Sequence, residues 1–332
     1  MAKESFLVIG AGAWGTALSI RLAKNGLSVS LTSKDKENLS IVKKTNENKK
    51  CLPGIKIPES INIEDEILPS LASCSCVLLC VKSTAFKTVT AELNTHMNQE
   101  QKLIWATKGL DPDTGETFSE TIKKEMPSLN KTAIISGPTF AEEVAKGKPT
   151  AITLASENIR KLSGLANIMS SPSFRVYTSS DIVGVQLGGA FKNIIAIAAG
   201  ASDALNLGAN ARTALISRGL EEMKSIGVAF GAKPETFFGL SGLGDLVLTS
   251  TDNQSRNRQL GLLIGSGVSL DKAIEKLETT PEGVHAVKAL YNNQALHEGL
   301  PIANAVYSIL FEGVPAESLV EKLMTRPLKE ET

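Results

Sequence analysis

The chain has 332 residues, 42% apolar and 21% charged, and its 35 basic and 35 acidic residues leave a formal net charge of zero. That length exceeds one ordinary core and points to two domains, and balanced charge without a long basic run excludes nucleic acid as a natural partner. The start, MAKESFLVIGAG, lacks the length and cleavage pattern of a signal peptide, and no stretch approaches the roughly 18 uninterrupted apolar residues of a membrane helix, so a cytoplasmic protein without integral membrane contact is expected.

The first element is a strand over 6–10, FLVIG, which runs straight into glycines and then an amphipathic helix, WGTALSIRLAKNG. Gly10, Gly12 and Gly15 stand in G-x-G-x-x-G spacing. Between an apolar strand and a helix this pattern predicts a dinucleotide site. Gly10 permits the tight turn, Gly12 lets backbone approach a pyrophosphate, and Gly15 lets helix and strand pack closely. The helix N-terminus offers N–H groups to the phosphates. A second strand is predicted over 28–32 and is followed by Thr32-Ser33-Lys34 before any carboxylate; Asp35 comes one residue later. An acidic residue at this strand end reads the ribose 2′-hydroxyl of NAD. A hydroxyl and an ammonium suit a 2′-phosphate, so NADP(H) is the expected cofactor, with NAD(H) left open. The KDKE run also fits the start of a solvated helix.

Further strands are predicted over 76–81, 103–107, 133–137, 150–156 and 174–179, mostly with helical segments between them. Several are almost wholly apolar, which argues a largely parallel sheet covered on both faces. The cysteines are Cys51, Cys74, Cys76 and Cys80. Alternation along a strand would turn Cys74, Cys76 and Cys80 to one face as small hydrophobes. The spacing lacks a paired Cys-x-x-Cys and the histidines, His96, His285 and His297, are scattered, so no metal site is expected. Two strands end in polar groups where such a sheet places its sites: Lys108 and Gly109 in LIWATKGL, and Gly137, Pro138 and Thr139 in AIISGPTF.

After about Asp181 the strand pattern stops, and helices are predicted over 182–206, 210–228, 256–266, 270–277, 283–298, 302–311 and 316–323. The expected class is α/β: a doubly wound sheet domain over 1–181 and an all-helical substrate domain over 182–332. The first of these helices carries Lys192, with Asn193 beside it. Its neighbours at three and four residues are Gly188, Gly189, Ile195 and Ala196, and the stripe continues through Ala199 and Gly200 to Asp203. A lysine there can snorkel to water; a stripe of small residues can also leave room for a substrate. Farther on, LSGLGDLVLTSTDNQSRNRQLG is glycine-rich and holds Asp245, Thr249, Ser255, Arg256 and Asn257. Ser255 can cap a helix starting at Arg256, and a helix start with an arginine is a ready phosphate site.

The motifs GAGAWGTALS, ATKGL, SGPTFAEEVA, GGAFKNIIAIAAG, GLSGLGDLVLT and SRNRQLG occur in that order. Together they make the chain resemble the bacterial NAD(P)-dependent glycerol-3-phosphate dehydrogenases along nearly its whole length. The resemblance implies a Rossmann-type first domain and a second domain like the C-terminal domain of 6-phosphogluconate dehydrogenase. It implies Lys192 as the acid–base, with Lys108 and Asp245 assisting. Substrate contacts would come from Lys108, Gly137, Thr139, Lys192, Asn193, Asp245, Thr249, Ser255, Arg256 and Asn257. Cofactor contacts would come from Gly10, Gly12, Trp14, Gly15, Ser33, Lys34, Lys108, Ala141, Arg256, Thr280 and Glu282. The family often carries an aromatic residue and an arginine where this chain has Thr32, Ser33 and Lys34, and a short aliphatic residue in place of Thr280. The implied reaction is hydride transfer between NAD(P)H and dihydroxyacetone phosphate, giving sn-glycerol 3-phosphate for glycerophospholipid synthesis, in a homodimer. Lysine is a fitting acid where histidine is scarce, since desolvation lowers its pKa toward neutrality. The related β-hydroxyacid dehydrogenases place an asparagine four residues after the lysine, where this chain has Ala196. A non-catalytic NADP(H) sensor could dispense with Lys192, Lys108 or Asp245, and all three are present.

Overall fold

The computed structural model describes residues 4–162, 164–292, 299–318, 320 and 325. His297, the predicted helical stretch 293–298 and half of the predicted helix 316–323 lie outside them.

The apolar runs of the first half form strands whose residues are buried whichever way they point. In β1 (Ser5–Ile9), Phe6 and Val8 join one core cluster, and Leu7 and Ile9 join another. In β4 (Cys76–Leu79), Cys76 and Leu78 go with the first cluster, and Val77 and Leu79 with the second. A strand with an apolar layer on both faces needs no polar alternation, and full burial of each Leu, Val or Ile contributes about 1.5–3 kcal/mol. The remaining strands are β2 (Ser28–Thr32), β3 (Ile61–Ile63), β5 (Lys102–Trp105), β6 (Thr132–Ser136), β7 (Thr150–Ala155) and β8 (Phe174–Ser179). They form one eight-stranded sheet in the order β3-β2-β1-β4-β5-β6-β7-β8. All neighbours are parallel except β6 and β7. The order reverses between β1 and β4, and at such a switch point the crevice outside the carboxyl strand ends takes the ligand. The interleaved helices are α1 (Ala13–Lys24), α2 (Lys36–Thr45), α3 (Ile67–Ser73), α4 (Ser83–Asn94), α5 (Phe118–Glu125), α6 (Ala141–Lys146) and α7 (Leu165–Met169).

The second half is helical: α8 (Ile182–Ala204), α9 (Gly208–Ala229), α10 (Asp245–Thr251), α11 (Arg256–Gly265), α12 (Leu270–Leu277), α13 (Glu282–Asn292) and α14 (Pro301–Phe311). Among the described residues only α8 is long and apolar enough to cross a membrane, and 89% of its most apolar window is buried within the protein, as suits a core helix. Glu222 of α9 is buried and accepts from the backbone N–H groups of Ile302 (2.7 Å) and Ala303 (3.2 Å), capping α14. The chain divides into two compact units, Met1–Asp111 with Glu116–Gln186, and Pro112–Gly115 with Leu187–Thr332. The division falls inside α8, a little beyond the boundary near 181 expected from the loss of strand pattern.

Two elements escaped the sequence pattern. Strand β3 has three residues, too few to show a period. Helix α10 follows a π-helical turn over Leu240–Gly244, and the glycines of LSGLG hide its start. The expectation for the cysteines needs correction. Cys76 and Cys80 share the first core cluster, but Cys74 belongs to the second. Cys74 is the C-cap of α3 and lies ahead of the strand, so the pleat does not govern it. Burial pushes the Cys74 thiol up to about 11 and the Cys76 thiol to about 12, which keeps both unreactive.

Candidate active site

The turn between β1 and α1 has the geometry that its glycines allow. Gly10 has φ +116°, and a Cβ there would lie 2.4 Å from the Cys80 carbonyl oxygen. A Cβ on Gly15 would sit 1.9 Å from the Gly10 carbonyl oxygen, so α1 rests directly on the turn. Gly12 differs. It is the N-cap of α1 with φ −75°, no side chain caps that end, and a Cβ there would meet nothing within 4 Å. A dinucleotide fits this arrangement: no side chain caps the start of α1, the space at Gly12 is open, and the dipole end favours an anion. Trp14 is half-buried on the same core cluster as Ala141, the first residue of α6, and its indole N–H is buried without a hydrogen-bond partner.

Ser33 and Lys34 follow β2 directly. The Ser33 hydroxyl accepts from the Asp35 N–H (3.2 Å), and exposed Lys34 places Nζ 3.8 Å from Glu92. The Asp35 carboxylate is already engaged: it caps α2 by accepting from the Asn38 N–H (3.0 Å) and pairs with Lys50 (2.7 Å). Those partners hold its pKa below the usual carboxylate range, Lys50 first.

At the ends of β5 and β6 the structure gathers three of the expected substrate residues. The Gly137 carbonyl accepts from Lys108 Nζ (3.1 Å) and from the Thr139 hydroxyl (3.2 Å). Gly137 has φ +148°, and a Cβ would lie 3.0 Å from the Ile152 Cα, so glycine is required there.

Lys192 sits in the middle of α8, only 6% exposed. Its Nζ donates to Asp245 Oδ1 (2.6 Å) and to the Thr249 hydroxyl (2.8 Å). Asp245 and Thr249 are four apart on α10, so one helix face presents both. Burial disfavours a charged ammonium and the adjacent carboxylate favours it, so two opposed effects meet at one nitrogen.

Helix α11 starts as expected: Ser255 is its N-cap and accepts from the Arg258 N–H (3.2 Å), and Arg256 is exposed at the first helical position. Asn257 is turned inward. Its Nδ2 donates to Asn193 Oδ1 (2.9 Å), and its Oδ1 accepts from the Gly283 N–H (2.9 Å). Asn193 and Asn257 thus tie α8, α11 and the start of α13 together. Thr280 and Glu282, both half-buried, flank Pro281 at that same start.

One sequence expectation is corrected here. The small residues around Lys192 were expected to leave room for substrate, but backbone fills that room at two of them. A Cβ on Gly188 would lie 2.5 Å from the Ser241 carbonyl oxygen, and one on Gly200 would lie 2.1 Å from that of Arg258. At these two positions the stripe serves close backbone packing. Sequence reasoning also missed Asn48, a buried side chain that donates to the Ala11 carbonyl and to the Thr16 hydroxyl (both 2.8 Å). No local pattern marks an asparagine whose Nδ2 reaches partners more than thirty residues away.

A doubly wound sheet with a glycine-rich first turn, followed by a helical unit that buries a lysine against an aspartate, defines a nicotinamide-dependent dehydrogenase. The particular family is also clear. The model of the NAD-dependent glycerol-3-phosphate dehydrogenase N-terminus matches residues 5–162, and that of the C-terminus matches residues 181–321. The chain belongs to this family, whose members use NAD(H) or NADP(H). It is 42% identical to a glycerol-3-phosphate dehydrogenase [NAD(P)+] of Pseudoalteromonas translucida, with 99% of each chain covered. Among solved structures it resembles a glycerol-3-phosphate dehydrogenase from Coxiella burnetii at 38% identity and TM-score 0.93, covering 98% of this chain and 99% of that one. A yeast glycerol-3-phosphate dehydrogenase, 22% identical, shares the fold at TM-score 0.81, covering 96% and 99%.

Proposed function

We propose that this protein reduces dihydroxyacetone phosphate to sn-glycerol 3-phosphate, the precursor of glycerophospholipids, as a cytoplasmic homodimer. The observation that carries the reading is the buried lysine held by Asp245 and Thr249 in a chain of this family. When bound, the reduced nicotinamide supplies the hydride to the carbonyl carbon. Lys192 donates the proton that the carbonyl oxygen takes up, leaving a neutral amine that is reprotonated from solvent. Asp245 and Thr249 orient Nζ and stabilise the ammonium before transfer. Lys108, fixed by the Gly137 carbonyl, polarises the substrate, with Gly137 and Thr139 beside it. The dinucleotide is assigned to the first unit, at Gly10, Gly12, Gly15, Trp14, Ser33, Lys34 and Ala141.

The substrate phosphate is assigned to the start of α11, at Ser255 and Arg256. Asn257, with its amide committed to Asn193 and Gly283, supports that start by fixing where α11 sits. Arg256→Ala removes a charge-assisted contact worth about 1.5–3 kcal/mol. Its kcat/KM for dihydroxyacetone phosphate should fall about 10–150-fold, and that for dihydroxyacetone much less. Equal losses on both substrates, at unchanged cofactor affinity, would remove Arg256 from the phosphate site.

We also propose that NADP(H) is preferred. The first carboxylate after β2 in the chain, Asp35, is committed to α2 and Lys50, while Lys34 offers a positive charge to a 2′-phosphate. The parent protein should use NADPH at least as well as NADH. Ser33→Asp should move the kcat/KM ratio toward NADH by setting a negative charge beside that phosphate. A parent that strongly prefers NADH would show that the 2′ position is read elsewhere.

A further inference from the structure

The glycine turn is held from the side by a residue that the family resemblance did not implicate. Asn48 lies in the loop after α2 and is fully buried. That loop is itself fixed: the Leu52 N–H donates to the Asn48 carbonyl (2.8 Å), the Ile57 N–H to the Asn46 carbonyl (2.8 Å), and Leu52, Ile55 and Ile57 pack into the first core cluster. The Asn48 side-chain amide is used on every side. Nδ2 donates to the Ala11 carbonyl and to the Thr16 hydroxyl, both at 2.8 Å, and Oδ1 accepts from the Cys51 N–H and from Asn38 Nδ2, both at 3.2 Å. The orientation of the amide is forced, because a backbone carbonyl can only accept and a backbone N–H can only donate.

The contact with Ala11 has a consequence for Gly12. The Ala11–Gly12 peptide is trans, as are the others described. In a planar trans peptide the carbonyl and the N–H point in opposite directions. Pinning the Ala11 oxygen to Asn48 therefore turns the Gly12 N–H the other way, away from Asn48. Gly12 is also the residue beside which a Cβ would meet nothing within 4 Å. The Thr16 contact fixes the same peptide run from the helix side, since the Thr16 N–H donates to the Gly12 carbonyl (3.0 Å).

We propose that Asn48 is a positioning residue for the cofactor: by holding the Ala11 carbonyl and Thr16, it presets the Gly12 N–H to receive a pyrophosphate oxygen. This rests on the dinucleotide reading of the turn. A donor fixed in advance is not reoriented when the anion arrives, so the benefit appears as affinity for the pyrophosphate.

The test is calorimetric. Asn48→Ala should raise the Kd of NADPH and of ADP-ribose, which both carry the pyrophosphate, about tenfold or more, the scale of one hydrogen bond to a charged group. The Kd of adenosine 2′-monophosphate should stay within about twofold, and kcat at saturating NADPH should hold while the NADPH KM rises. A lowered Tm with the ADP-ribose Kd unchanged would make Asn48 a structural residue only and overturn the proposal. The parent protein offers a check that needs no variant to fold. In glycine-labelled protein, the Gly12 amide resonance should shift strongly on adding ADP-ribose, and a Gly12 amide that ignores bound ADP-ribose would overturn the proposal. If the parent binds neither NADPH nor ADP-ribose, the dinucleotide reading itself fails; if it binds both and Asn48→Ala binds them equally, only the role of Asn48 fails.

Discussion

Lys192→Met is expected to lower kcat about 10²–10⁴-fold, the usual contribution of a positioned general acid. Methionine keeps the length and the apolar stem but removes the charge opposite Asp245, which is fully buried. A buried carboxylate left without its partner costs about 3–5 kcal/mol, so the single variant should also melt at a lower temperature. Lys192→Met combined with Asp245→Leu should recover much of that stability and none of the turnover. Separating the two effects is the purpose of the pair: a stable double variant without activity assigns the loss to proton transfer rather than to a weakened fold. Near-parent kcat in either variant would remove Lys192 from the chemistry.

The second large effect separates two glycines of one turn. Gly15→Ala drives a Cβ to 1.9 Å from the Gly10 carbonyl oxygen, a backbone atom that cannot swing aside. Helix α1 must then lift off the turn, at a cost of about 1–3 kcal/mol or more, and the N–H groups at its start move with it. Gly12→Ala meets no atom within 4 Å and keeps an ordinary φ of −75°. It should fold like the parent and still bind NADPH more weakly, because its methyl group enters the space the pyrophosphate needs. Thermal melts and calorimetric titration of both variants check this. If Gly12→Ala binds NADPH as the parent does, the pyrophosphate does not approach α1 at that residue.

Much of the geometry of the candidate site was legible because its signals are local. Gly10, Gly12 and Gly15 sit within one turn, and the strand before and helix after them show their periods plainly. Ser255 capping α11 is likewise a neighbour-to-neighbour contact. The grouping of Lys108 with Gly137 and Thr139 followed from a general property of parallel sheets, which gather their carboxyl ends on one edge. What the chain hid is long-range. Asn48 reaches Ala11 across 37 residues and Asn257 reaches Asn193 across 64. Neither leaves a trace in periodicity. The stripe of small residues beside Lys192 misled for a related reason: a glycine on a helix signals close approach, and composition alone does not distinguish a ligand from the backbone of 239–244 or of α11. Helix α10 was masked by the glycines ahead of it, although Asp245 and Thr249 at a spacing of four carry a helical signal that was there to be read.

The central claim is that this chain joins a nicotinamide cofactor to a phosphorylated three-carbon ketone through Lys192. The most direct measurement follows nicotinamide absorbance in the purified protein on adding dihydroxyacetone phosphate, with NADPH and NADH in parallel and the product identified as sn-glycerol 3-phosphate. The account predicts oxidation of the cofactor that depends on the ketone phosphate, proceeds at least as well with NADPH as with NADH, and falls about 10²–10⁴-fold in Lys192→Met. A protein that binds NADPH yet oxidises neither cofactor in the presence of dihydroxyacetone phosphate would contradict it.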